Sequence, residues 1–142
     1  MTQIARSALV RRPASHMFDL VNEVEGYPQR FGWCEGARIL ERSDTEMLAR
    51  LELKMGGLRT AFTTRNRLLR PQRIELQLVE GPFTRLSGSW IFTELAEDAS
   101  KVALNLNFET AGRLMGSALA IGFQGLADRM VDDFVREAQR GG

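Results

Sequence analysis

The sequence predicts an α+β domain in which a curved antiparallel sheet wraps around one long C-terminal helix. Three patterns predict it: a short helical pattern near the N-terminus, hydrophobic alternation of period two between residues 35 and 108, and a helical pattern from 112 to 139. A sheet must bury one face, and the long helix is the element able to cover it. We therefore expect an apolar cavity between the sheet and this helix.

The N-terminal elements are a strand followed by a short helix. Residues 3–11 place apolar side chains on one parity, and Pro13 ends this strand and suits a helix start. Met17, Leu20, Val21 and Val24 then recur at the spacing of an amphipathic helix. Gly26 ends that helix, and one further helical turn is expected through residue 31.

Six consecutive strands follow and form a predicted antiparallel meander. Each is separated from the next by Gly, Pro or acidic turn residues, of which Gly56-Gly57 is the clearest hairpin signal. The alternation is cleanest over residues 47–55, where apolar residues occupy every second position. The predicted strands cover residues 37–42, 47–55, 58–69, 74–78, 84–95 and 102–108.

The final helix is predicted over residues 112–139, with Thr110 as its N-cap. Between residues 114 and 127 it is apolar nearly all round. A helix that covers one sheet face needs only an apolar stripe. The helix therefore has a second, surplus apolar face, which should include Leu114, Ala118 and Ile121. This face must be covered by the N-terminal helix, by a partner subunit or by a membrane surface.

Composition describes one ordinary globular domain spanning residues 1–142, with 44% hydrophobic and 26% charged residues. The formal net charge of +1 argues against a DNA partner and requires a concentrated basic patch for strong RNA binding. No run of residues reaches the length of a membrane span, so we expect a cytoplasmic protein that meets a membrane, if at all, from its inner surface.

The single His16 and single Cys34 restrict the possible chemistry. They cannot build a disulfide framework or a zinc cluster, and they lie eighteen residues apart, with His16 in the first turn of a surface helix. A Ser or Cys nucleophile needs a base, and no second histidine is available. We therefore expect no catalytic residues, no metal site and no obligatory cofactor.

Two strand segments carry side chains suited to binding. The segment Leu86-x-Gly88-x-Trp90-x-Phe92 places four residues on one strand face, where they form core or line a pocket for a planar apolar ligand. Three arginines, Arg59, Arg65 and Arg67, share one face of the predicted strand 58–69. They are either solvated or available to contact anions.

These segments carry a family resemblance. It lies in three motifs, which are Tyr27-Pro28 followed by Cys34, the run Phe-Thr-Thr-Arg-Asn at 62–66, and Gly81-Pro82-Phe83 before the Trp90 segment. In these motifs the chain resembles the coenzyme-Q-binding and ribosome-association toxin RatA family. This family lies in the START-like superfamily, also labelled polyketide cyclase/dehydrase-like. The resemblance runs from Ile4 to the last helix and implies the helix-grip fold.

The chain departs from the family pattern in one loop. Arg30 stands where the family usually has Phe, and Gly32 stands where it has Pro. This loop is expected near the cavity mouth, so the departures bear on ligand entry and loop rigidity.

The resemblance implies a noncatalytic lipid-binding protein that holds a ubiquinone-like prenylated quinone and supports respiratory quinone function. Thr64 or Asn66 would hydrogen-bond a quinone carbonyl if their parity points inward. The predicted ligand-binding residues are Leu51, Phe62, Thr64, Asn66, Leu76, Trp90, Phe92, Leu104, Met115 and Leu119.

The family implies two other functions. The alternative is a ribosome-association toxin that binds the large ribosomal subunit and blocks subunit joining, with Arg59, Arg65 and Arg67 as the contact surface, extended by Arg70 and Arg73. A polyketide cyclase or aromatase is less favoured, because it rests on the superfamily label alone.

Overall fold

The structure is a computed structural model that describes residues 2–112 and 114–141, with side chains for all of these except 114–117. An N-terminal strand precedes two short helices, and six strands then lead to one long helix. The strands are β1 (Thr2–Val10), β2 (Cys34–Arg42), β3 (Glu46–Met55), β4 (Leu58–Leu69), β5 (Arg73–Glu80), β6 (Phe83–Ala96) and β7 (Ala99–Thr110). The helices are α1 (Ala14–Asn22), α2 (Tyr27–Arg30) and α3 (Leu114–Gln139), with a 3₁₀ turn at Val24–Gly26.

The described strands form one antiparallel sheet in the order β1-β7-β6-β5-β4-β3-β2. Consecutive strands from β2 to β7 are neighbours, which confirms the predicted meander. β1 closes the order by pairing with β7, from Thr2 opposite Phe108 to Val10 opposite Ser100. The β3–β4 hairpin turns at Gly56, whose φ of 65° favours glycine. The α+β helix-grip fold is therefore confirmed.

α3 packs on the sheet through residues at helical spacing. Phe123, Leu126, Val131 and Phe134 are all buried on its inner face, where they meet the apolar side of the sheet. Across β7, Val102, Leu104, Leu106 and Phe108 are buried while the residues between them are not, as alternation requires. Burial of each such side chain contributes about 2–3 kcal/mol. The core therefore lies between the sheet and α3.

Two element boundaries differ from the prediction. β2 begins at Cys34 rather than at residue 37, because irregularities at Cys34/Gly36 and Ile39/Glu41 interrupt its alternation. Thr110 is the last residue of β7, and α3 begins at Leu114. The prediction of Thr110 as the N-cap of the last helix is therefore wrong.

The described part of the surplus apolar face of α3 is not covered within the monomer. Ile121 is 75% exposed and Ala118 is exposed as well. The side chain of Leu114, the third residue predicted for this face, lies outside the described residues. Of the predicted covers, α1 does not reach Ala118 or Ile121.

Candidate functional site

A cavity of about 70 Å³ lies between the sheet and α3. Its wall is mostly apolar, because strand residues of one parity and the inner face of α3 meet there. The lining residues are Val21, Asn22, Val24, Tyr27, Trp33, Ala49, Leu51, Leu53, Phe62, Thr64, Asn66, Ile74, Leu76, Leu86, Trp90, Leu104, Leu106, Phe123 and Met130. The predicted cavity therefore exists.

Seven of the ten predicted ligand-binding residues line this cavity: Leu51, Phe62, Thr64, Asn66, Leu76, Trp90 and Leu104. All seven are strand residues whose parity faces the helix.

Three predicted residues do not contribute to the described wall. Phe92 is buried against Phe18 of α1, with ring centroids 5.7 Å apart, because β6 passes beneath α1 at that point. Leu119 is buried on α3 one turn before Phe123, the residue that does line the cavity. The side chain of Met115 lies outside the described residues.

Polar groups occupy part of the otherwise apolar wall. The Thr64 hydroxyl donates a 2.7 Å hydrogen bond to Asn66 Oδ1, and both residues are buried. They face the same side because they are two positions apart in β4. This pairing satisfies part of their hydrogen-bonding capacity without a ligand.

Asn22 adds an acceptor that the sequence does not indicate. It is the last residue of α1 and lines the cavity, and its Oδ1 is buried without a hydrogen-bond partner among the described residues. A buried unpaired acceptor costs about 1–3 kcal/mol. A ligand hydroxyl or N–H would remove that cost. Asn22 lies off the apolar stripe of its helix, so no pattern in the sequence marks it.

An aromatic cluster holds the wall of the cavity around Tyr27. The Tyr27 hydroxyl donates to the backbone carbonyl of Val21, and its ring meets Phe134 of α3 at a centroid distance of 5.3 Å. Phe31 stacks on Trp33, with centroids 4.9 Å apart and an interplanar angle of 11°. Burial raises the pKa of Tyr27 above its ordinary value, so the phenol stays protonated.

Arg30, the first departure from the family pattern, links this loop to its surroundings. Its guanidinium lies 2.9 Å from Glu23 Oε1 and 4.0 Å from Glu137 Oε1 of α3. The loop is therefore tethered by charge to the 3₁₀ turn region and to α3.

The three predicted anion-contacting arginines lie exposed on the outer face of β4, as their parity predicted. Each has a carboxylate partner: Arg59 with Glu35 at 2.9 Å, Arg65 with Glu46 at 3.2 Å, and Arg67 with Glu75 at 3.8 Å.

The two extending arginines also contact carboxylates, although Arg73 shares Glu75 with Arg67, so the five arginines face four carboxylates. Arg70 makes a bidentate contact with Asp19 at 2.9 and 2.8 Å, and Arg73 lies 3.2 Å from Glu75. The charge of this face is therefore largely neutralised.

Cys34 is poorly suited to nucleophilic chemistry. Its buried thiol donates a 3.3 Å hydrogen bond to the Gly36 carbonyl, and burial raises its pKa to about 11. At neutral pH the thiol is therefore protonated. Among the described residues, no group of three or more His, Cys, Asp or Glu side chains is placed to hold a metal ion. Within the same residues, no helix has both the length and the hydrophobicity to cross a membrane.

Comparison with known proteins relates this geometry to a family. The family model described as polyketide cyclase / dehydrase and lipid transport matches residues 10–135. The ribosome association toxin RatA of Pseudomonas aeruginosa is 44% identical over 139 residues, covering 98% of this chain and 96% of that protein.

Two solved structures share the fold. The Zhui aromatase/cyclase from Streptomyces sp. R1128 superposes with a TM-score of 0.83 at 22% identity, covering 98% of this chain and 94% of its own. A START superfamily protein from Mycobacterium smegmatis also gives 0.83, at 18% identity and 99% coverage of both chains. At these identities the likeness concerns the fold alone.

Proposed function

This chain belongs to the RatA family of the START-like superfamily, and from that premise we propose that it binds the large ribosomal subunit and blocks subunit joining. The observation that carries the proposal is the 44% identity to a ribosome association toxin over 98% of the chain. Its role is binding rather than catalysis, and its location is the cytoplasm, where ribosomes are found.

The test is a subunit-joining assay with purified components. Isolated small and large ribosomal subunits are mixed with the protein and separated on a sucrose gradient. We expect the protein to sediment with the large subunit and to lower the fraction of joined ribosomes. Protein that stays at the top of the gradient, with joining unchanged, would contradict the proposal.

A second function, ligand holding, is supported by the cavity and by Asn22. Among the described residues, the wall is mostly apolar with one unpaired side-chain acceptor, Asn22 Oδ1, and that acceptor suits the hydroxyl of a reduced quinol. The volume of about 70 Å³ is well below the roughly 300–1,000 Å³ typical of small-molecule pockets. A quinol, head group included, would therefore require α3 to move away from the sheet, and a prenyl tail would require a larger movement.

Tail-free dimethoxy-methyl-benzoquinone, titrated anaerobically in its oxidised and reduced forms, tests this second function. Trp33 and Trp90 both line the cavity, so tryptophan fluorescence reports binding. We expect the reduced form to bind more tightly, and the variant Asn22→Leu to lose that preference because it removes the acceptor. Equal affinity of the two forms for the unmodified protein would contradict the role of Asn22.

A further inference from the structure

A groove of about 360 Å³ runs between the tip of the β3–β4 hairpin, the loop before β2 and the middle of α3. We call it the hairpin groove, and it is lined by Gly32, Trp33, Lys54, Gly56, Arg129 and Asp133. It lies on the outside of the elements that enclose the cavity.

We propose that the hairpin groove binds phosphates of ribosomal RNA on the large subunit, an inference that rests on the proposed function. The groove supplies what phosphate recognition needs, namely uncompensated cations and accessible backbone. The Arg59, Arg65 and Arg67 face stays the alternative contact surface.

The first argument is charge. Lys54 and Arg129 are both exposed, and among the described residues no carboxylate lies within 4.0 Å of either. The one acid in the groove, Asp133, is engaged at both oxygens: Trp33 Nε1 donates to Oδ2 at 3.0 Å and Arg136 Nη1 donates to Oδ1 at 3.1 Å. The two cations of the groove are therefore available to an external anion.

The second argument is access to the backbone. Ideal Cβ atoms built on Gly32 and Gly56 would have no other heavy atom within 4 Å, so open space borders both residues. A phosphate can thus approach the main chain between the two cations.

The third argument is rigidity. The backbone N–H of Lys54 donates a 2.9 Å hydrogen bond to the Trp33 carbonyl, which joins β3 to the loop before β2. The Trp33 indole is held by Asp133 on one side and by stacking on Phe31 on the other. The floor of the groove is therefore formed before any partner arrives, which lowers the entropic cost of binding.

The side of α3 next to the groove carries both an apolar and a charged side chain. Ile121, Gly125 and Arg129 are spaced four residues apart and lie on one side of the helix. Ile121 is 75% exposed, and Arg129 is exposed as well. A membrane surface with anionic headgroups would attract the same cations, so the experiment below includes lipid vesicles.

The test compares two charge-matched double variants. Lys54→Gln with Arg129→Gln removes the groove cations, and Lys101→Gln with Arg85→Gln removes one exposed lysine and one exposed arginine elsewhere. Each pair lowers the net charge by the same two units. Urea unfolding of all three proteins verifies that stability is unchanged.

Binding to purified large subunits is measured by co-sedimentation over a series of KCl concentrations. We expect the groove variant to bind about 10-fold more weakly and to reduce the slope of log affinity against log salt concentration by about 2. The control variant should remain within about two-fold of the unmodified protein.

Four results would overturn the inference. Equal losses in both variants would indicate general electrostatics. A third double variant, Arg65→Gln with Arg67→Gln, tests the β4 face, and a loss confined to that variant would assign the contact there. Retained subunit binding with lost binding to phosphatidylglycerol vesicles would assign the groove to a membrane. Failure of the unmodified protein to bind subunits at all would instead reject the proposed function, and this inference with it.

Discussion

The substitution Ala49→Leu tests whether the cavity is real space that a side chain can fill. Ala49 lies in the middle of β3, is 3% exposed and lines the cavity. Leucine adds three carbon atoms, and each buried methylene contributes about 0.8 kcal/mol, which gives about 2.4 kcal/mol. Ordering the longer side chain costs about 0.5–1 kcal/mol. The expected gain in the free energy of unfolding is therefore about 1–2 kcal/mol.

The matched control is the same substitution at a buried alanine outside the cavity. Ala127 of α3 is 0% exposed and is absent from the cavity wall. Leucine there must displace packed atoms, at a cost of about 1–3 kcal/mol. Urea denaturation measures both variants, and equal m-values would show that the unfolding transition is the same.

A gain in the free energy of unfolding for Ala49→Leu and a loss for Ala127→Leu would show that there is free space beside Ala49 and none beside Ala127. If Ala49→Leu lowers the free energy of unfolding by more than about 1 kcal/mol, the space beside Ala49 is already filled and the reasoning fails. The variant should also abolish binding of the tail-free quinol, because the side chain occupies its place. Binding to large subunits should stay within about two-fold, since the hairpin groove lies outside the cavity.

Three further predictions follow from individual residues. Burial raises the Cys34 pKa from 9.0 to about 11, so its alkylation at pH 8 should be much slower than that of free cysteine. The stability contributed by the neutral thiol should be complete below pH 9 and should be lost as the pH rises towards 11. Gly88→Ala should lower the free energy of unfolding by about 2 kcal/mol or more in urea titrations, because a Cβ there would lie 2.1 Å from the Asn105 carbonyl oxygen. Ile121→Glu should change that free energy by less than about 0.5 kcal/mol, because the side chain is exposed, yet weaken co-sedimentation with large subunits; unchanged binding would exclude Ile121 from the contact.

The sheet could be predicted from the sequence because most strands bury one face only. Such strands alternate in hydrophobicity, and β7 displays the alternation without interruption, while β3 departs from it only around Leu48 and Leu51. The start of β2 could not be predicted, because its irregular pairing near Cys34 and Gly36 shifts the parity. The start of α3 was predicted two residues early, since Gly112 continues the helical spacing without belonging to the helix.

The lining of the cavity likewise contains residues that could be predicted from the sequence and residues that could not. Leu51, Leu76 and Leu104 could be predicted because parity within a strand determines which side each residue faces. Asn22 and Met130 come from helices, whose position over the sheet depends on tertiary packing that no local pattern encodes. The carboxylates that pair with Arg59, Arg65 and Arg67 could not be predicted either, because tertiary packing decides which side chains meet.

Cavity and groove share two wall elements, β3 and α3, and Trp33 borders both spaces. In β3, Leu53 lines the cavity and Lys54, the next residue, lines the groove; in α3, Met130 lines the cavity and Arg129, the preceding residue, lines the groove. The distance between sheet and helix therefore determines both the volume of the cavity and the separation of the two cations. We expect a ligand larger than the present 70 Å³ to increase that distance and, with it, the separation of Lys54 and Arg129. Ligand holding and phosphate binding are thus geometrically linked through α3, so a ligand that opens the cavity also alters the surface proposed to meet the ribosome.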